Sequence, residues 1–423
     1  MFLFIALYVI LVIIRPQDYP ALVDSMPFPL MPSMLALGLL GWLISTRKRF
    51  DSPQYLLLLL FLLVVMLSKV VNGWTGGAIE QLGQFGPVVV AYFLLANATT
   101  SLVQVRRMMA VFALCATVLA IHGVEQVMTG VSWTGVEFSQ GSRIQYVGIF
   151  NDPNDLGLLF VMCLPMAGYL SGRGGMLGLR RVFWLAVAGL LLYAIVLTDS
   201  RGTMLAAALV LGLYVWRRFN LFAATTVGAI GLAVLMAIPS RLQEIDASES
   251  SAAGRVDAWY EGFLMFFSRP ILGIGAGNFA DYNVITAHNS FVLVLAETGI
   301  VGFTLWFAFV GYGFLMMGAL LRYRPELADA AAQRAWRDER AIAATLLLAQ
   351  SGFFFAAFFL SRSYVVLLYL LAALVLGYYS GACDRYPGLP RFHLSEDFWR
   401  WGVRALIAVV GLYVLVRVLL VTA

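Results

Sequence analysis

The stretch "YLLLLLFLLVVMLSKVV" at residues 55–71 carries a single charge, Lys69. Comparable apolar runs recur near 1–15, 30–46, 55–70, 83–97, 106–125, 155–171, 182–199, 202–216, 219–239, 288–321, 341–360, 363–382 and 402–421. Most are roughly 15–22 residues long, the length of a helix that crosses a hydrocarbon core of about 30 Å. Inside lipid every backbone N–H and C=O must find its partner within the segment or within a closed barrel. A barrel alternates apolar and polar residues over about ten positions, whereas these runs are continuous. The chain is 61% hydrophobic and 12% charged, far from the balance of a water-soluble domain. The expectation is an all-α polytopic membrane protein with about 12–13 transmembrane helices. The first run, "MFLFIALYVILVII", has no basic n-region and no small-residue cleavage site, so it reads as a retained helix. Cys115 and Cys163 fall in apolar runs and Cys383 in an expected loop, and their spacing makes neither a disulfide framework nor a metal site.

Lys and Arg sort by loop. The loops containing "STRKRFD", "LVQVRRM", "SGRGGMLGLRR" and "WRRF", with 322–340 and 383–404, hold nineteen of the 28 basic residues. The alternate loops hold Arg15, Lys69, Arg143, Arg201, Arg241, Arg255, Arg269 and Arg362, and Arg417 lies within the last run. The positive-inside rule places the rich set in the cytoplasm. It also accounts for the net charge of +5 without nucleic acid. Arginines on the poor side run against that trend and need another reason, of which anion binding is one.

The chain then divides into an N-terminal transmembrane bundle at 1–239, an extracytoplasmic loop at 240–287 and C-terminal transmembrane helices at 288–423. Within the loop, Val256, Trp259, Tyr260, Phe263 and Phe267 recur at helical spacing. An amphipathic helix is expected there, lying flat on the outer leaflet and ending before Pro270 and the glycines of "ILGIGAGNF". That glycine-rich segment lacks the strand and βαβ setting of a dinucleotide site. Close turns explain it.

The candidate chemistry lies in the poor loops. His288, in "ITAHNSFVLVLAETG", is either a general base at the membrane surface or a structural histidine at a helix start. Arg201, in "LTDSRGTML", stands by a helix N-terminus that itself favours an anion; alternatively it pairs with Asp199. Arg255 opens the amphipathic helix and Arg269 closes it, with Asp257 and Glu261 as possible surface partners. Arg143 and Arg362 lie in "QGSRIQY" and "LSRSY". Several guanidinium forks converging on one face suit a diphosphate. In "IFNDPNDLGLL", Asn151, Asp152, Asn154 and Asp155 form a turn and helix cap, or else present amides to a sugar or phosphate. Asn289 is placed to orient the imidazole or a sugar. His122 and His393 read as structural and solvated. The outer carboxylates Asp152, Asp199, Glu244, Asp257 and Glu297 show no paired-acid spacing.

The segments "GIFNDPNDLG", "TDSRGTML", "GRVDAWYEGFLMFFSRPILGIGAGNF" and "AHNSFVLVLAETGIVG" follow one another between about residues 148 and 303. In that order they resemble the bacterial O-antigen ligase family, within a superfamily that includes O-antigen polymerases and protein O-oligosaccharyltransferases. The resemblance implies a membrane-embedded glycosyltransferase of the lipid-donor type with a large periplasmic loop. It implies transfer of O-antigen from undecaprenyl diphosphate to the lipid A-core oligosaccharide at the periplasmic face of the inner membrane, with no cofactor, metal or nucleotide sugar. The family's important arginine in the "SRG" turn, arginine in the periplasmic loop and histidine near that loop's end fall on Arg201, Arg255 and His288. On this reading His288 is the base, Arg201 and Arg255 hold the diphosphate, and Arg143, Arg362, Asn289, Asn151 and Asn154 contact substrate. A polymerase, a protein glycosyltransferase and a transporter of the lipid-linked sugar are the competing readings.

Overall fold

The structure is a computed structural model that describes residues 1–422 except 21, 23–28, 47, 174, 176, 177 and 238–244; for 230–237 and 245–253 it describes the backbone only. Arg47, Arg241 and Glu244, and the start of the expected 240–287 loop, lie outside the described residues. Fifteen α-helices follow in order: α1 Phe2–Ile14, α2 Leu30–Ile44, α3 Pro53–Val71, α4 Thr75–Ala98, α5 Leu102–Thr129, α6 Pro153–Ser171, α7 Leu179–Leu197, α8 Arg201–Arg218, α9 Leu221–Ala237, α10 Ile245–Ser268, α11 Phe279–Tyr282, α12 Ser290–Arg322, α13 Ala330–Ala357, α14 Val366–Arg385 and α15 Leu394–Thr422. Among the described residues nine are long and apolar enough to cross a membrane: α3 to α7 and α12 to α15. Of the other expected spans, α1, α2 and α9 are shorter, at 13, 15 and 17 residues, and α8 carries three arginines. The protein is an all-helical, multi-pass membrane protein. Cys383, expected in a loop, sits in the last turn of α14.

Local chemistry starts these helices. Ser101 and Gln104 form a capping box on α5. Asp152 caps α6, with Pro153 in its first turn, and Ser200 caps α8. Each satisfies amide donors that a helix start leaves unpaired. The buried core runs through α3, α4, α5, α6, α12, α13 and α14. In contrast α15 buries Trp401, Ala405, Val409 and Val416 and otherwise faces outward.

Two expectations change. The run 288–321 is not one straight span. Gly299 has φ 63° and ψ −166° and breaks α12 into two helical pieces. The glycine-rich segment fills the break: Ile300 N–H donates to the Pro270 carbonyl at 2.8 Å, and Ile274 N–H to that of Ala296 at 3.0 Å. Backbone meets backbone so closely that a Cβ on Gly273 would lie 2.3 Å from the Glu297 carbonyl carbon, and one on Gly299 2.4 Å from that of Ile271. The glycines therefore serve a helix break. Lys69 and Glu297, 3% and 2% exposed, hold the same segment, through the Asn278 side chain at 2.5 Å and the Phe279 amide at 3.2 Å.

The amphipathic helix is present as α10, but the apolar face expected to meet lipid packs on protein. Phe263 is fully buried with its ring 5.3 Å from that of Tyr413 in α15, and Trp259 lies 5.5 Å from Phe358. Arg417 of α15 sits 5.8 Å from the Tyr260 ring.

Alternate loops gather at opposite ends of the bundle. At the basic end Arg106 and Arg173 both bind Asp338, Arg385 binds Glu339, and Arg49 binds Asp384. The starts of α6, α8 and α12 meet at the other end, which holds the site.

Candidate functional site

Three helix starts, the link after α13 and the middle of α10, which Arg255 was expected to open, build this site. The turn before α6 supplies Asp152, Asn154 and Asp155. The turn before α8 supplies Ser200 and Arg201. Arg255 comes from α10, His288 from the residue before the α12 cap, and Arg362 from the link between α13 and α14.

Asn154 joins the first two turns. Its amide oxygen accepts from Ser200 Oγ at 2.6 Å and from Arg143 Nη2 at 3.1 Å, while its Nδ2 donates to Asp152 Oδ1 at 2.8 Å. Arg143 Nε also donates to the Thr198 carbonyl at 2.9 Å. Arg143 thus ties the α6 and α8 turns together. The 139–143 hairpin that carries it is closed by paired backbone hydrogen bonds between Ser139 and Arg143.

Arg362 ties in the third element. Its Nε and Nη2 donate to the two carboxylate oxygens of Asp155, and its Nη1 donates to the Ser361 carbonyl at 3.1 Å. Asp152 lies 3.9 Å from the same guanidinium. The Arg362 amide donates to Ser290 Oγ at 2.9 Å, Ser290 Oγ donates to the Leu360 carbonyl at 2.6 Å, and Ser363 Oγ donates to the Ser290 carbonyl at 2.8 Å. The first turn of α12, and His288 with it, is pinned to the 360–363 link.

His288 itself is half-buried and has φ 45°. Asp199, next to Ser200 in the α8 turn, has the same φ of 45°. Left-handed backbone at non-glycine residues is strained, and such strain concentrates at functional sites. Burial, followed by the charges of Arg255 and Arg362, holds the His288 imidazole below its ordinary value of 6.5, while Asp152 pulls the other way. Burial and then the Arg201 charge push the Arg255 guanidinium down, again opposed by Asp152. These mutual effects require His288, Arg255, Arg201, Arg362 and Asp152 to share one neighbourhood. Among the described residues Arg255 has no ion pair.

Each anticipated residue can now be placed. His288, Arg201, Arg255, Arg143, Asn154 and Arg362 converge. Arg143 and Arg362, expected to touch substrate, are engaged with protein partners. Asn289 is fully buried and its Oδ1 accepts from Phe291 N–H at 2.9 Å and Val292 N–H at 3.1 Å, so it caps α12 rather than presenting an amide to a sugar. Asn151 is exposed and closes a short 3-10 turn through its amide. Arg269 is exposed at the far end of α10. His122 is buried in α5 against Thr134 Oγ1 at 2.7 Å and the rings of Trp133 and Tyr146, a structural setting. His393 is exposed. Asp155 was passed over as part of a turn. A carboxylate in the first turn of an apolar span was the available signal, because such a group seeks a cationic partner.

No curated protein matches the chain. Residues 185–307, which carry Arg201, Arg255 and His288, match the family model described as O-Antigen ligase.

Proposed function

We propose that this protein is an O-antigen ligase of the inner membrane. It transfers O-antigen polysaccharide from undecaprenyl diphosphate to the lipid A-core oligosaccharide, with the site facing the periplasm. The observation that carries the reading is the neighbourhood of Arg201, Arg255 and His288 within the matched segment, where burial and then the Arg255 charge hold the imidazole below its ordinary value.

Arg201, at the N-terminus of α8, and Arg255 bind the donor diphosphate, helped by the dipole of that helix start. His288 accepts the proton of an acceptor hydroxyl as the oxygen attacks the anomeric carbon. The new C–O bond forms as the bond from carbon to phosphate oxygen breaks, and undecaprenyl diphosphate leaves with the electron pair. The arginines stabilise the charge it gains. Direct displacement inverts the anomeric centre. Arg143, Asn154, Asp155 and Arg362 hold the loops that present these groups. Burial and the neighbouring guanidinium charges lower the His288 value, which favours the unprotonated form that a base needs.

Transport is the less favoured reading. Ion pairs join α5, α13, α14 and the turn after α6 at the basic end, and Arg362–Asp155 joins the 360–363 link to α6 at the site end. Ties at both ends suit a fixed site more than alternating access.

The test is reconstitution of the purified protein with lipid-linked O-antigen and lipopolysaccharide lacking O-antigen. A slower-migrating lipopolysaccharide from the parent, absent with His288→Asn, is the expected result; asparagine tolerates the left-handed backbone and removes the base. Lengthening of the donor lipid would make the protein a polymerase. Glycan on an added protein acceptor would make it a protein glycosyltransferase.

A further inference from the structure

The chain passes from Arg255 on α10 to His288 before α12 by way of residues 269–287. Part of that stretch is a wedge. Phe279 is 1% exposed and stands between the two helices. A Cβ on Gly262, two turns after Arg255, would lie 3.1 Å from the Phe279 ring and 2.5 Å from Val292, one turn after His288. Interiors are packed without slack, so the depth of Phe279 sets how closely α10 and α12 approach beside those two residues.

Two buried charges hold the wedge. Lys69, in the last turn of α3, donates from Nζ to Asn278 Oδ1 and lies 4.7 Å from the Trp74 ring. Glu297 of α12 accepts from the Phe279 amide at 3.2 Å and is an electrostatic neighbour of Lys69. The end of α3 fixes the segment just before: Ala276 N–H donates to Ser68 Oγ at 3.0 Å, and Asn72 Nδ2 donates to the Gly273 carbonyl at 3.0 Å. Buried opposite charges incur a desolvation cost that apolar side chains of the same size avoid, so stability is a poor reason for them. Ionisable groups at membrane depth commonly serve a site. Here each one fixes a residue of the wedge, Asn278 from α3 and Phe279 from α12.

We propose that Lys69 and Glu297 are positioning residues for the transfer: by fixing Asn278 and Phe279 they set the distance between Arg255 and His288. The inference rests on the roles proposed for those two residues. The charged neighbours of His288 are Arg255 from α10, Arg362 from the 360–363 link and Asp152 from the turn before α6. Lys69 and Glu297 act on it through the wedge and not through their own charge. A displaced wedge carries Arg255 away from the imidazole, and a displacement of about 1 Å in a reacting group can cost about 10²-fold in rate.

The test uses the full chain in vesicles with lipid-linked O-antigen and lipopolysaccharide lacking O-antigen. Lys69→Met should lower kcat about 10²-fold, more than it raises KM for either lipid. With the Arg255 charge farther from the imidazole, the acidic limb of activity should move to higher pH. Lys69→Met alone leaves the Glu297 charge uncompensated and should melt early. Adding Glu297→Gln removes both charges and should restore the melt, while kcat and the acidic limb stay displaced. Recovery of kcat and limb together with the melt makes the pair structural only and overturns the proposal, as does a parent kcat in Lys69→Met. Spin labels at Leu264 of α10 and Val301 of α12, 42% and 38% exposed, give an arm that needs no substrate. Their distance distribution should broaden in the double variant, and an unchanged distribution also overturns the proposal. Absence of transfer in the parent counts against the ligase reading and leaves the distance result standing on its own.

Discussion

At the basic end of the bundle arginine meets carboxylate: Arg106 and Arg173 share Asp338, Arg385 takes Glu339 and Arg49 takes Asp384. At the site end Arg362 takes Asp155, yet around that pair Arg143, Arg201, Arg255 and His288 crowd together with Asp152. Like charges in a low-dielectric setting repel, so an arrangement that keeps them adjacent carries a cost. The basic end is built to hold helices together. The site end instead gathers cations around the Arg362–Asp155 pair, the arrangement that the proposed diphosphate site requires.

Removing the base should give the largest contrast. His288→Asn is expected to lower transfer by roughly 10²–10⁴-fold while the protein remains folded, as read from turnover in vesicles beside the thermal transition. A wild-type rate would remove the imidazole from the mechanism. Next, Arg255→Ala should cost about 10²–10³-fold, and Arg255→Lys should recover only part of it, because an ammonium lacks the guanidinium fork. The sign of the pH effect is also set. Arg255 depresses the His288 value, so removing its charge favours imidazolium and moves the acidic limb of residual activity to higher pH. A limb that stays in place would separate the two residues.

Arg362→Ala should act differently from Arg255→Ala. It leaves the Asp155 carboxylate, 7% exposed, without its partner and should destabilise the protein by about 3 kcal/mol. Loss of activity should then follow loss of folded protein in a thermal melt, whereas Arg255→Ala should leave the melt unchanged. The smallest effect belongs to the basic end. Arg173→Ala removes one of two arginines on a partly exposed Asp338, and should cost about 0.5 kcal/mol with transfer intact. A large loss of transfer from Arg173→Ala would break the division of labour between the ends.

Much of this architecture was readable along the chain. Run length announced the spans, and the "NDP" and "DSRG" turns announced the caps of α6 and α8. The placement of arginines against the positive-inside trend announced Arg143, Arg201, Arg255 and Arg362. The reading went astray where a local cue had two meanings. "GIGAGNF" looked like close turns and is a plug in a helix break. The apolar face of α10 looked ready for lipid and is covered by α15. Asn289 looked like a polar group on offer and is a buried cap.

The sequence alone determined the membrane class, the helix positions and the split of charges between loops, because hydrophobic length, capping and Lys/Arg distribution are local properties of the chain. Only the tertiary structure decided that Asp155 meets Arg362 across 207 positions, that Gly299 breaks α12 against residues 270–275, and that Arg201, Arg255 and His288 share one neighbourhood. Those facts depend on which helices pack side by side, and no single stretch of sequence carries that choice.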